Sequence, residues 1–156
     1  RAFNILKNKY KIPHKLVLTG KPNPLYPETQ KLIKQFKLQK SIFRAGLVES
    51  PKLTWLFQNA SVYVQPSFYE GFGLPLLEAL SQNTSVCASK TSCLPEIAQN
   101  CANYFDPNSP EEMAKTIKQN LDKKPNPNHT SKLLKQYSWE RAADQTHKLY
   151  LSCLNK

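Results

Sequence analysis

The stretch Pro66-Ser67-Phe68-Tyr69-Glu70-Gly71-Phe72-Gly73-Leu74-Pro75-Leu76-Leu77-Glu78-Ala79-Leu80 decides the fold. Before it stands Val62-Tyr63-Val64-Gln65, a short apolar run of strand length. Pro66-Ser67 ends that strand, and residues 73–80 read as a helix with Pro75 in its first turn, where a missing N–H costs nothing. Gly71 and Gly73 remove side chains where a ligand would approach the backbone. A Gly-rich turn from strand into helix presents free N–H groups and suits a phosphate. Glu78 lies one turn into the helix, where its carboxylate is suited to accept two hydrogen bonds from neighbouring ribose hydroxyls. Glu70 precedes the turn, at the mouth of such a pocket. Acids near a helix start are also favoured by the helix dipole alone, and that simpler account of the two glutamates stays open from these residues.

Outward from this stretch, helical and strand patterns alternate. Residues 2–10 put Phe3, Leu6 and Tyr10 on one helical face, and residues 16–20 form a short strand ending in Gly20. After a Pro-rich loop at 21–28 comes a helix over 29–36 with Leu32, Ile33 and Phe36 inward, then a strand over 41–45 closed by Gly46. Residues 51–59 form a helix with Pro51 at its start. Beyond the central stretch, Asn83 suits a left-handed helix cap, 86–89 is a strand and 102–105 is a short strand or extended segment. A helix opens at Ser109-Pro110 and runs to residue 121, residues 122–128 read as loop, and Ser138 caps an amphipathic helix from Trp139 to about Leu154. This alternation predicts an α/β domain, a Rossmann-like parallel sheet with helices on both faces. Ligands in such sheets sit outside the carboxyl ends of the strands. That rule singles out Gly20-Lys21, Gly46-Leu47-Val48, residues 66–73 and residues 89–92.

Glu70 through Ala79 reproduces without a gap the Glu, seven residues, Glu hallmark of the retaining glycosyltransferases of family 4 (glycosyl transferases group 1), usually written Glu-Gly-Phe-Gly-Leu-Pro-x-x-Glu-Ala. The likeness extends to Leu16–Gly20, Phe43–Val48, Asn59-Ala60, Leu94-Pro95-Glu96, Phe105-Asp106-Pro107 and Ser138-Trp139-Glu140. The chain resembles the C-terminal, donor-binding half of the GT-B fold in that family. The resemblance implies that residues 1–156 are one nucleotide-sugar binding domain, shortened at its N-terminal side, with the acceptor domain outside this chain. It implies that Glu78 holds the donor ribose and that the backbone at Gly71, Phe72, Gly73 and Leu74 receives the diphosphate. Gly46 and Val48 would lie against the base, and Gly20 would give the donor room. Glu70 would be the catalytic residue, binding hydroxyls of the transferred sugar and stabilising positive charge on its ring. Neither metal nor cofactor is implied; the nucleotide diphosphate sugar is itself the donor substrate. The acceptor would be a glycan or lipid-linked molecule held by the other domain. The implied reaction is hexose transfer, of mannose or glucose type, with retention, in cell-surface polysaccharide or glycoconjugate synthesis. Three departures stand out. Gln82-Asn83-Thr84-Ser85 replaces the family's Gly-x-Pro, Gln99-Asn100 replaces a Gly after Pro-Glu-x-x, and the family's diphosphate-clamping Arg and Lys lie ahead of the first helix here.

Charge adds a second expectation. The net charge is +11, and twelve basic residues against Glu28 and Glu49 lie at or before Lys52, so ten of the eleven net charges fall in the first third. Such a field favours anionic partners: nucleotide phosphates, and peripheral contact with an anionic membrane at its inner, cytoplasmic face. Nucleic acid is not expected, since the aromatics do not interleave with the lysines as a stacking platform requires. No apolar run approaches the ~20 residues of a membrane span. Cys87, Cys93, Cys101 and Cys153 lack Cys-x-x-Cys spacing, and His14, His129 and His147 are scattered. Free thiols and no zinc site follow. Two rival readings remain: a sugar-nucleotide epimerase of the same architecture, which would need cleft acids and a His, and a non-catalytic basic anion-binding module.

Overall fold

The expected alternation appears as helices and parallel strands in the computed structural model, which describes residues 1–21, 28–121 and 123–154. In chain order the elements are α1 (Ala2–Asn8), β1 (Leu16–Thr19), α2 (Glu28–Gln35), β2 (Ile42–Gly46), α3 (Ser50–Asn59), β3 (Tyr63–Gln65) and α4 (Leu74–Ser81). Then follow β4 (Val86–Ser89), α5 (Leu94–Ala98), β5 (Asn103–Phe105), α6 (Pro110–Asn120), α7 (Pro127–Leu134) and α8 (Trp139–Leu154). Most of the loop expected at 21–28 lies outside the described residues.

Every strand pairing is parallel. The strands form two ladders, however, β1 with β2 and β3-β4-β5, where the sequence suggested one sheet. Among the described residues β1 and β3 each pair with one strand. Around the larger ladder the side chains alternate between two cores, as the strand period of two requires. Val86, Ala88, Tyr63 and Tyr104 turn toward Phe57 of α3, Leu76 and Leu80 of α4, Leu94 of α5 and Leu133 of α7. Cys87, Phe105 and Val64 turn the other way, toward Leu6 of α1 and Ala114 and Ile117 of α6. Helices thus cover both faces of this ladder.

Capping explains several boundaries. Ser109 accepts a hydrogen bond from the Glu112 N–H at 3.2 Å, and Ser138 does the same for Arg141 at 3.1 Å. Asn83 takes the expected left-handed conformation, at φ 59°. Two helices were not foreseen. Residues through 128 read as loop because Lys, Pro and Asn dominate there, yet Asn126 caps α7 by accepting from Asn128 N–H at 3.0 Å, with Pro127 in the first turn. The combination of cap residue and Pro outweighs the loop-like composition. The short helix α5 rests on tertiary packing: Leu94, Ile97 and Ala98 are all buried. Leu32, Ile33 and Phe36, expected to face inward from α2, are only half-buried. All of α8 is exposed, including Trp139 and Leu154, so none of its apolar stripe is buried among the described residues.

Candidate functional site

The strand-end residues of the larger ladder converge on Glu70. Gln65, at the C-terminal end of β3, is buried at 8% exposure although polar. Its Nε2 donates to Glu70 Oε1 at 2.5 Å and to Ser67 Oγ at 3.1 Å. The Ser67 hydroxyl donates to the same carboxylate oxygen at 2.7 Å. The other oxygen, Oε2, has no hydrogen-bond partner among the described residues. The Tyr63 hydroxyl donates to Gln65 Oε1. Burial raises the Tyr63 pKa well above the ordinary range, and the charges of Glu70 and Glu78 raise it further. Both carboxylates therefore bear on one tyrosine of β3.

The loop carrying Glu70 is stitched to the loop after β4. Ser92 Oγ donates to the Glu70 carbonyl at 2.8 Å, Cys93 Sγ donates to it at 3.1 Å, and Thr91 Oγ1 donates to the Ser67 carbonyl at 3.2 Å. The next turn depends on Gly73, which precedes α4 at φ 94°, and a Cβ there would stand 2.9 Å from Leu94 Cδ2. Glycine is thus required by conformation and by packing. No side chain caps α4, and Pro75 occupies its first turn. The ring of Phe72 is held edge-on by Tyr137, with centroids 5.5 Å apart. Gly71 differs from Gly73: a Cβ there would meet nothing within 4 Å. Leu74 and Glu78 are exposed on the open side of α4.

The smaller ladder gathers the remaining predicted residues. Gly20 N–H donates to the Gly46 carbonyl at 2.7 Å, just past the ends of β1 and β2. Both glycines have positive φ, and an added Cβ at either would meet nothing, so the backbone turn explains their identity within the chain. Val48 is half-buried beside them. No hydrogen bond among the described residues links this group to the Glu70 group. Sequence reasoning singled out Ser67 and Ser92 among the strand-end residues but missed Gln65, Cys93 and Tyr137 as supports of the loop. A buried glutamine ending an otherwise apolar strand was the available signal.

His14 lies just ahead of β1, not on a strand-end loop, and its Nδ1 is buried without a partner among the described residues. A cleft of about 540 Å³ opens away from the strand ends, between α1 and the segment joining α2 to β2, lined by Asn4, Lys7, Gln35, Lys37 and others. The strand-end residues better fit phosphate and sugar chemistry, because they unite an uncapped helix start with two carboxylates. Of the basic residues in the first third, only Lys52 makes an ion pair among the described residues, with Glu49 at 3.9 Å. The four cysteines are unpaired.

Residues 1–143 match the family model described as glycosyl transferases group 1. The chain belongs to that family. Among relatives of the glycosyl transferases group 1 chain is an O-antigen chain mannosyltransferase B of Escherichia coli, 32% identical over 154 residues, covering 96% of this chain and 40% of that protein. An MMP alpha-(1->4)-mannosyltransferase of Mycolicibacterium hassiacum is 29% identical over 143 residues, covering 86% and 34%. The solved structure of Anabaena Alr3699/HepE in complex with UDP and glucose superposes with a TM-score of 0.78 at 15% identity, over 96% of this chain and 44% of that one. The fold is therefore the Rossmann-like α/β arrangement shared by these glycosyltransferases, and the chain spans about two fifths of such proteins or less.

Proposed function

We propose that this chain is the donor-binding domain of a retaining hexosyltransferase of family 4. It would bind a nucleotide diphosphate sugar, of mannose or glucose type, for transfer to a glycan or lipid-linked acceptor in surface polysaccharide or glycoconjugate synthesis. The observation that carries the reading is the pairing of Glu70 with the uncapped start of α4. One carboxylate oxygen is held by Gln65 and Ser67 while the other has no partner among the described residues, one turn of loop from helix N–H groups suited to phosphate. Mannosyltransferases among the relatives support the hexose, and UDP in a structural neighbour supports the nucleotide.

In this reading the N–H groups near Phe72, Gly73 and Leu74 stabilise the diphosphate as charge develops on it at departure. Gly71 leaves open space for its approach. Glu78 takes the ribose hydroxyls, Gly46 and Val48 flank the base, and Gly20 lies at the same end of the neighbouring ladder. Glu70 Oε2 meets hydroxyls of the sugar and stabilises positive charge on its ring. The leaving phosphate takes the acceptor proton, and no metal is assigned a role. The acceptor domain and the diphosphate-clamping Arg and Lys are not assigned to residues of this chain. The basic first third would sit against an anionic membrane surface on its cytoplasmic side; among the described residues, no helix is long and apolar enough to cross a membrane.

The test is ligand-detected binding of a nucleotide-sugar panel to the full-length protein, with turnover measured alongside. Glu78→Ala is expected to weaken donor binding and Glu70→Ala chiefly to lower kcat. A protein unchanged by both substitutions would mean that the site lies elsewhere.

A further inference from the structure

Glu70 has two chemically equivalent oxygens, and among the described residues only one of them is restrained. The restraint has a direction that can be followed atom by atom. The Gln65 amide has two N–H protons, and they go to Glu70 Oε1 at 2.5 Å and Ser67 Oγ at 3.1 Å. Ser67, having accepted from Gln65, spends its own proton on Glu70 Oε1 at 2.7 Å. The Gln65 carbonyl oxygen accepts from the Tyr63 hydroxyl, two residues back on the same face of β3. A flipped amide would set its oxygen against a carboxylate oxygen, two acceptors facing each other, so the charge of Glu70 selects the orientation of the amide. Tyr63 then serves as donor on the far side, and burial keeps its proton in place. Tyr63 is itself packed edge-to-face on Phe57 at 5.3 Å, so the chain of hydrogen bonds is anchored in the core. The other ionisable groups bearing on this region are Glu78 and the Cys93 thiol, which contacts the Glu70 carbonyl.

We infer that Gln65 is a positioning residue for the transfer reaction: with Ser67 it ties down Glu70 Oε1 so that Oε2 alone is offered to the donor sugar. The inference rests on the reading of Glu70 given above and adds to it the residue that fixes its geometry. A carboxylate that must meet a hydroxyl and a developing ring charge gains from being held before the sugar arrives, since displacement by an ångström can cost on the order of 100-fold in rate. Gln65 does not touch the substrate in this account. Its loss should therefore lower turnover while donor binding, carried by α4 and Glu78, is kept.

The experiment uses the full-length protein, with UDP-glucose and GDP-mannose as donor probes and release of nucleoside diphosphate as the assay. Gln65→Leu should lower kcat by roughly tenfold or more with donor KM changed little, the signature of an interaction expressed in the transition state. Gln65→Glu supplies the more specific readout. Two carboxyls at this separation resist ionising together, so the pair holds one proton until the pH is raised. At low pH the new carboxyl donates to Glu70 as the amide did and restores turnover; as pH rises and that proton is lost, activity falls where the parent's does not. Carbon-13 NMR of the side-chain carboxyls in Gln65→Glu tests the same contact without any donor, and should give the two-step titration of a coupled pair. Independent titration of the two carboxyls would overturn the inference. So would equal, pH-independent losses in Gln65→Leu and Gln65→Glu, which would mark a packing role. Glu70→Gln run in parallel separates the two levels. If it lowers kcat while both Gln65 variants match the parent, positioning by Gln65 fails and the reading of Glu70 stands. If it leaves turnover intact, the reading of Glu70 fails.

Discussion

Gly73 and Gly71 stand two residues apart in one loop, yet the structure demands glycine at only one of them. At Gly73 an alanine meets two penalties. Its φ of 94° lies in the left-handed region, which costs an L-residue about 1–2 kcal/mol. Its Cβ would also stand 2.9 Å from Leu94 Cδ2, and Leu94 is fully buried against α4 and β4, so the methyl has little room to push it. Overpacking of this kind costs roughly 1–3 kcal/mol. Against these stands a gain of about 0.4–1 kcal/mol from the stiffer unfolded chain. The net loss is about 3 kcal/mol, a large share of the roughly 5–15 kcal/mol that holds a domain together, and equals a drop in Tm of about 6–12 °C at this chain length. Gly71→Ala meets no atom within 4 Å and no positive φ, so its stability should stay within about 0.5 kcal/mol of the parent. Its open space faces the proposed diphosphate, so donor affinity should fall instead. Urea unfolding with a fixed m-value, read beside nucleotide titration, measures both arms. Trimming the contact with Leu94→Val in the Gly73→Ala background should recover the overpacking part alone, appearing as a coupling of about 1 kcal/mol. If Gly73→Ala is as stable as the parent, or if the two alanines behave alike, the argument from conformation and packing is refuted.

Other outcomes follow from the same structure. Gln99 stands where the family carries glycine, exposed and at φ 49°, ψ −129°, so Gln99→Gly should raise Tm by about 2–4 °C by relieving roughly 1 kcal/mol of backbone strain; an unchanged or lower Tm counts against this. Burial pushes the Cys87 thiol up to about 12, with Lys123 opposing in part, and burial likewise pushes Tyr104 up to about 12. The unfolded chain loses these protons from about pH 9 while the folded chain keeps them, so unfolding free energy should be full below pH 9 and decline toward pH 12. Urea titrations across that range, with Cys87→Ala removing part of the slope, check the sign. On its own this chain should bind a nucleoside diphosphate only at about millimolar Kd, since the helix start contributes ~1 kcal/mol and Glu78 about 1.5–3 kcal/mol. It should turn over no donor; calorimetry and an activity assay on this chain decide, and robust transfer by it would contradict the proposal.

Much of this was legible before the fold. The run from Val62 to Gln65, the break at Pro66 and the glycines fixed a strand, a turn and a helix, because each residue type there permits few alternatives. Ser109, Ser138 and Asn83 marked helix ends by local chemistry alone. The Asn126-Pro127 start of α7 was equally local, but its lysine- and asparagine-rich surroundings hid it. Helix α5 was hidden for another reason: five residues carry too little periodicity, and Leu94 is held by contacts with distant α4. The two-ladder arrangement was invisible too, since strand patterns do not say which neighbour is present. At the site, motif spacing pointed to Glu70 and Glu78. The contacts of Gln65, Ser92 and Tyr137 with that loop span up to 65 positions in the chain and arise only from packing.

The central claim is that the turn into α4 binds a nucleotide diphosphate sugar through Glu78. Isothermal titration of the full-length protein with GDP-mannose and UDP-glucose, parent against Glu78→Ala, tests it most directly. Loss of a charge-assisted hydrogen-bonding pair of about 1.5–3 kcal/mol should weaken binding of the accepted donor by roughly 10- to 100-fold, with the fold intact because Glu78 is exposed. Equal affinity in the parent and in Glu78→Ala would contradict the account.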